Sequence, residues 1–210
     1  MFEDRKSAGQ ALAKSLTKYA GRDAIVIALP RGGVPVAAPI AEALGAPLDI
    51  LMVRKIGAPG QPELAAGAVT EGDPPNLAIN KDIVRYLGIS DQYLETTSQS
   101  LLAAMAKRRA AMGAAESVRN LADQSVILVD DGVATGATVK AAIGALRAQK
   151  IAHLCLAVPV ASPETAAVLQ GLVDDFVCLE QPSFFQAVGA HYRVFDQVET
   201  SAVAAILNRH

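Results

Sequence analysis

Charge imbalance, cysteine, histidine and long apolar runs are all scarce in this chain, and each scarcity excludes something. Nineteen Lys and Arg against 21 Asp and Glu leave a formal charge of only −2, so no general pull toward nucleic acid is expected. The one basic cluster, Lys107, Arg108 and Arg109, falls on a long predicted helix and reads as a solvated face. Two cysteines, Cys155 and Cys178, each sit inside an apolar, strand-like run. Reduced, buried thiols are therefore expected rather than a disulfide framework. The three histidines and the cysteines show no metal-ligand spacing. No uninterrupted apolar stretch reaches the ~18 residues of a membrane span. The start, MFEDRKSAGQ, has the character of neither a signal nor a transit peptide. These absences predict a cytoplasmic protein with no membrane partner.

With 51% hydrophobic and 19% charged residues over 210 positions, the chain can bury a sizeable single core. Apolar runs at Ala24–Leu29, Leu48–Val53, Val126–Val129, Ile151–Val158 and Val173–Leu179 read as strands, with a short one at Leu77–Asn80. Helical spacing covers Asp4–Ala20, a stretch from about Val34, Lys81–Leu87, Ser90 to about Glu116, Val139–Arg147 and Pro163–Leu169, the last capped by Ser162. Alternation at this spacing predicts an α/β fold, a mostly parallel sheet with helices on both faces. No repeat or linker interrupts it.

The chemistry concentrates at Val126–Thr138, VILVDDGVATGAT. The apolar strand ends at Asp130, where ligands sit in open α/β sheets. Beyond it Val133, Ala134, Thr135, Gly136, Ala137 and Thr138 form a small-residue loop that opens a helix. Such a loop offers free backbone N–H groups, the positive end of a helix dipole and threonine hydroxyls to a phosphate. The adjacent carboxylates Asp130 and Asp131 would repel a bare pyrophosphate. They make sense facing sugar hydroxyls, a divalent cation or developing positive charge. A Walker loop is excluded because no Lys precedes Thr138, and a dinucleotide fingerprint because its three glycines and downstream acid are missing.

Four apolar residues, two acids and a small-residue loop ending in Thr-Gly-x-Thr resemble the 5-phosphoribosyl 1-pyrophosphate signature of the type I phosphoribosyltransferases. The resemblance to the core spans roughly residues 24–160. It implies that Asp130 and Asp131 bind the ribose 2′- and 3′-hydroxyls and that the loop from Val133 to Thr138 holds the 5′-phosphate. It implies Mg²⁺ as well, associated with Asp130 and Asp131 directly or through water or substrate, and a homodimer. Where hypoxanthine-guanine enzymes place a third acid, this chain has Ala134, which cannot act as a base. An Ala followed by Thr-Gly is more like the adenine enzymes.

Two further strand ends carry matching chemistry. After Ala24–Leu29 come Pro30, Arg31, Gly32 and Gly33. Here a guanidinium fork and exposed backbone N–H groups suit a pyrophosphate, and the stretch is similar to the family's pyrophosphate loop. After Leu48–Val53 stand Arg54 and Lys55, cations placed for an anion. The segment 56–73, rich in glycine and proline, has the composition of a loop or short hairpin able to move, and the resemblance makes it a flap over the reacting centre. Glu63 and Glu71 lie within it, and either is a candidate to assist proton transfer to a leaving group or nucleobase, Glu63 first. Residues 1–20, 180–210 or both are expected to form a small hood, leaving 1–210 as a single domain. Phe184, Phe185 and Tyr192 would either stack on a planar base or form hood core. An N-terminal Phe-x-Asp-Arg with a later Ala-Gly, and a C-terminal Phe-x-Ala-Val-Gly, are similar to a bacterial subgroup that assigns no acceptor.

The resemblance implies Mg²⁺-dependent transfer of phosphoribosyl from 5-phosphoribosyl 1-pyrophosphate to a nitrogen acceptor, a nucleobase by preference, with release of pyrophosphate. A non-catalytic sensor of the same ligand is the rival reading. A nicotinamide-linked oxidoreductase is disfavoured by the missing fingerprint.

Overall fold

The computed structural model describes residues 1–72, 74–115 and 121–210. Asp73 and Glu116, at the expected ends of the flap and the long helix, lie outside the described residues. The strands are β1 (Ala24–Ala28), β2 (Leu48–Ile50), β3 (Val53–Ala58), β4 (Gln61–Thr70), β5 (Asn76–Ile79), β6 (Ser125–Val129), β7 (His153–Val160) and β8 (Asp175–Glu180). The helices are α1 (Arg5–Ser15), α2 (Gly33–Leu44), α3 (Lys81–Leu87), α4 (Asp91–Ala111), α5 (Ala137–Ala148), α6 (Pro163–Gln170) and α7 (Thr200–Leu207).

Five strands form one wholly parallel sheet in the order β2-β1-β6-β7-β8. Alternate residues feed opposite faces, as the two-residue period of a strand requires. Val26, Ala28, Ile127, Val129, Cys155 and Ala157 join the core that includes α1, α2 and α4. Ile25, Ile27, Val126, Leu128, Leu154 and Leu156 join the core beneath α5 and α6. Because both faces are covered, β1 and, from Val126 on, β6 can be apolar throughout instead of alternating with polar residues.

The run Leu48–Val53 is not one strand. It leaves the parallel sheet after Ile50, and Val53 begins a second, antiparallel sheet, β3-β4-β5. Pro59 and Gly60 make the turn between β3 and β4, with Ala58 opposite Gln61 and Gly60 at φ +72°, the conformation position i+2 of a Pro-Gly turn requires. The base of this hairpin is packed, with Ile56, Ala66 and Val69 buried, while Pro59–Glu63 are exposed.

The basic cluster on α4 departs most from expectation. Arg109 is buried; it pairs with Asp49 at 2.6 Å and Glu71 at 2.8 Å and donates to the Ile50 carbonyl at 2.9 Å. One guanidinium fork thus ties α4 to the edge strand β2 and to the end of β4, a geometry its planar donor array suits. Glu71 also accepts from the Met52 N–H at 2.8 Å; it is structural, and burial raises its carboxyl pKa.

The chain ends meet. Phe2 bridges to Tyr192 in parallel fashion, and the two rings lie 5.5 Å apart. Tyr192 also packs at 5.0 Å on Phe195. Tyr192 is buried, so it belongs to the packing between the ends and not to a stacking platform. Phe185 stacks on His191 at 5.4 Å, and Phe184 is exposed. Cys155 and Cys178 are both free thiols, the second partly exposed.

Candidate active site

At the carboxyl edge of the parallel sheet, β1 and β6 are in register, Ala28 beside Val129. Their following loops are therefore brought side by side. The Leu29 N–H donates to the Val129 carbonyl at 2.9 Å and extends the ladder one residue further. Pro30-Arg31 is a cis peptide, after which Gly32 and Gly33 enter α2. A Cβ on Gly32 would lie 2.0 Å from Asp131 Oδ2, and one on Gly33 would lie 2.7 Å from the Val129 carbonyl oxygen. The two glycines are what let the loops approach this closely.

Asp130 accepts the Asp131 N–H at 2.9 Å. Asp131 in turn holds the Nε of Arg5 at 2.8 Å, with both side chains largely withdrawn from solvent, and its carbonyl accepts the Tyr192 hydroxyl at 2.6 Å. Arg5 also lies 3.8 Å over the Phe195 ring and donates to the Asp196 carbonyl at 2.9 Å. The joined chain ends thus grip one carboxylate of the pair. Asp130 keeps an accessible edge but is otherwise surrounded by protein. Burial first, and the Asp131 carboxylate second, push its pKa well above the ordinary carboxylate range, partly opposed by the Asp131 N–H and by Arg5.

The loop after β6 is anchored on its inner side. The Val133 N–H donates to the Val160 carbonyl at 2.8 Å, the Thr165 hydroxyl donates to the Ala134 carbonyl at 2.6 Å, and Val133 and Gly136 are buried. Ala134, Thr135, Ala137 and Thr138 are exposed. Gly136, at φ +74°, occupies the N-cap of α5.

Helix capping separates the site from the rest of the molecule. Side-chain oxygens of Asp4, Asn80, Ser90 and Ser162 cap α1, α3, α4 and α6. The caps of α2, α5 and α7 are Gly32, Gly136 and Glu199, and none makes a side-chain cap bond. Residues at those three starts, Gly32, Thr138 and Thr200, line two adjoining cavities. At α2 the Gly33 and Val34 N–H groups already donate to the Leu29 and Arg31 carbonyls, at 3.0 and 3.2 Å, so its start offers an anion mainly the helix dipole, while a start such as that of α5 suits an anion through dipole and first-turn N–H groups together.

One cavity, of about 300 Å³, is lined by Asp130, Asp131, Gly32, Thr138 and Arg54 among others. The second, of about 330 Å³, shares Pro30, Val53 and Arg54 with the first and adds Arg31, Arg108, Met52, Met112 and Thr200. Of the residues singled out in the sequence, Arg31, Gly32, Arg54, Asp130, Asp131 and Thr138 thus fall together on these linings, from three separate strand ends. Gly33, Val133, Ala134, Thr135, Gly136 and Ala137 belong to the same loops and helix starts outside the linings. Lys55 and Glu63 do neither. Neighbours on a strand face opposite ways, so Arg54 lines the cavities while Lys55 points out and pairs with Glu63 at 2.7 Å. That hydrogen bond lowers the Glu63 pKa, and Glu63 is almost wholly exposed.

Arg5 and Arg108 escape sequence reasoning as site residues. Arg5 stands in the quoted Phe-x-Asp-Arg, but its partner is 126 positions away. Arg108 is hidden in the basic cluster, where a three-residue run has no period to separate its outward from its inward member.

As to a metal, no group of three or more His, Cys, Asp or Glu side chains converges among the described residues. The donor set still fits Mg²⁺, which typically keeps several waters and takes one or two carboxylates plus substrate phosphates. Asp130 offers a carboxyl short of positive charge beside the anion-suited cavities.

Residues 3–193 match the family profile described as phosphoribosyl transferase domain. Two Mycobacterium tuberculosis proteins, of strains CDC 1551 and H37Rv, carry the provisional name of phosphoribosyl transferase. Each is 40% identical over 209 residues, which cover 100% of this chain and 47% of theirs. The chain therefore spans about half the length of these curated relatives. The crystal structure of TT1426 from Thermus thermophilus is similar throughout, with 40% identity, a TM-score of 0.84 and coverage of 100% of this chain and 98% of that one.

Proposed function

Because the chain belongs to the phosphoribosyl transferase domain family, we propose that it transfers the 5-phosphoribosyl group of 5-phosphoribosyl 1-pyrophosphate to a nitrogen acceptor. The observation that carries the reading is the convergence of the Asp130–Asp131 pair, uncapped helix starts and arginines on adjoining cavities. Anionic ends and a polyhydroxylated middle are the chemistry such an arrangement suits.

In this reading the 5′-phosphate lies on the Val133–Thr138 loop, against the first turn of α5. The ribose hydroxyls face Asp130 and Asp131. The diphosphate lies toward Arg31, Gly32, Gly33 and Arg54. As the bond from the anomeric carbon to pyrophosphate breaks and the bond to the acceptor nitrogen forms, positive charge develops on the ribose. The carboxylates oppose that charge while the guanidinium groups take up the charge on the leaving group. No covalent intermediate with the protein is required, and catalysis rests on positioning and preorganised charge. Asp130 and Asp131 would hold Mg²⁺ through water or substrate. When bound, the ion offsets charge on the diphosphate. Lys55 and Glu63, at the exposed end of the β3–β4 hairpin, take part only if that hairpin closes over the cavities. Residues 56–73 then serve as the flap and the joined chain ends as the hood of one domain. A nucleobase is the first acceptor class to examine. A homodimer and a cytoplasmic location belong to the same reading, with family membership as their support; no helix among the described residues is long and apolar enough to cross a membrane.

The test is calorimetric titration with 5-phosphoribosyl 1-pyrophosphate, with and without Mg²⁺, followed by assay of pyrophosphate release across a panel of nucleobases. Binding with release for one base establishes the transferase. Binding without release for any acceptor makes the protein a sensor of the same ligand. The double substitution Asp130→Asn with Asp131→Asn is expected to abolish turnover in a protein that still folds, and full activity would sink the site assignment.

A further inference from the structure

Arginines 31, 54 and 108 reach one cavity of about 330 Å³ from three different elements: the loop after β1, strand β3 and the last turn of α4. Among the described residues no carboxylate lines that cavity, and no ion pair is formed by any of the three. Arg108 and Arg109 are sequence neighbours with opposite fates. Arg109 turns inward to Asp49 and Glu71, whereas Arg108 lines the cavity that Arg54 also lines. Burial of Arg54, and next its repulsion by Arg108, lower the Arg54 pKa. The uncapped start of α7 reaches the same cavity through Thr200. Like charges held together at a concave, polar site are unfavourable until an anion of matching charge enters.

We infer that Arg108, on α4, is a third guanidinium ligand of the diphosphate in this cavity, beside Arg31 and Arg54. The inference rests on the proposed reading in one respect, that the diphosphate is the leaving end of the sugar substrate. The charge arithmetic favours a diphosphate over a monophosphate or carboxylate. Three fixed cations match an anion of charge about −3, and two linked phosphoryl groups offer enough oxygens for three forks at once. The cavity also opens on the carboxylate-lined one through shared Pro30, Val53 and Arg54. One extended ligand can therefore present its sugar to Asp130 and its diphosphate to Arg108. Thr200 places the first turn of α7 beside the same anion, coupling the C-terminal helix to occupancy of the site.

The probes are inorganic pyrophosphate, 5-phosphoribosyl 1-pyrophosphate and ribose 5-phosphate, titrated calorimetrically into the wild-type chain, Arg108→Gln and Arg108→Lys. Arg108 is solvent-facing on α4, and coincident melting curves will establish that the variants fold. Arg108→Gln is expected to weaken inorganic pyrophosphate about tenfold or more, as loss of a charge-assisted contact implies. Arg108→Lys should recover part of the loss, and ribose 5-phosphate should bind all three proteins alike. An Arg108→Gln affinity for pyrophosphate within twofold of wild type overturns the inference, as does an equal loss for ribose 5-phosphate. Weakening of pyrophosphate with no change for 5-phosphoribosyl 1-pyrophosphate overturns the leaving-group assignment and marks a site for a separate diphosphate. Failure of the transferase reading looks different: the wild-type chain would bind pyrophosphate through Arg108 yet release none with any acceptor.

Discussion

Replacing Arg5 by Gln tests whether the joined chain ends are a working part of the site. The ion pair to Asp131 at 2.8 Å has side chains only 12% and 16% exposed, between the surface case, worth about 0–1 kcal/mol, and the fully buried case, where removing one partner costs about 3–5 kcal/mol. A value near 2 kcal/mol is appropriate for the broken pair. Loss of the guanidinium over Phe195 at 3.8 Å adds about 1 kcal/mol, for a total of about 3 kcal/mol. In a chain of this size each kcal/mol moves Tm by about 2–4 °C, so Arg5→Gln should melt about 6–12 °C below wild type. A thermal double-mutant cycle with Asp131→Asn isolates the pair, with an expected coupling of about 1–3 kcal/mol. A Tm drop under 2 °C, or a coupling within about 0.5 kcal/mol of zero, would refute the argument.

Asp130→Asn should stabilise the ligand-free protein while removing its activity. The native pKa of Asp130 is raised by burial and by Asp131. Its contribution to stability is therefore fully present below the unfolded value of about 3.9 and is lost as pH rises through the higher native value. Asn keeps an oxygen for the Asp131 N–H without the charge, so Tm at pH 7.5 should rise by about 2–4 °C, roughly 1 kcal/mol, and the gain should shrink as pH falls toward 5. A gain independent of pH, or a loss, contradicts the assignment. Arg109→Met should cost about 3–5 kcal/mol by removing the buried guanidinium that Asp49 and Glu71 share, seen as a fall in the urea midpoint at unchanged slope. Wild-type stability of this variant would show that the fork does not hold α4 to β2.

Much of the parallel sheet and the small-residue loop after β6 is legible because both are local. Continuous apolar runs such as those of residues 24–28 and 126–129 can cross only a doubly covered sheet, and a strand ending in two acids before a small-residue helix start has few other uses. Residues 48–53 mislead because apolar character continues through Leu51, Met52 and Val53 while the hydrogen-bond partner changes from β1 to β4; composition carries no trace of a change of partner. The run Lys107–Arg109 misleads for a related reason. Whether a guanidinium is solvated, buried or turned into a cavity depends on carboxylates at Asp49 and Glu71 that only folding brings near.

Local chemistry dictated where the backbone must bend sharply, since Gly32, Gly33 and Gly136 are compelled by close approach or positive φ, and it placed carboxylates and cations at strand ends. Tertiary structure alone decided which of those charges meet. It turned Arg54 inward and Lys55 outward and supplied Arg108 from a helix far along the chain. It also set Arg5 on Asp131 across 126 positions. The reason is physical: backbone conformation and hydrophobic period act over a few residues, whereas pairing of charges acts through space over distances set by the packed core.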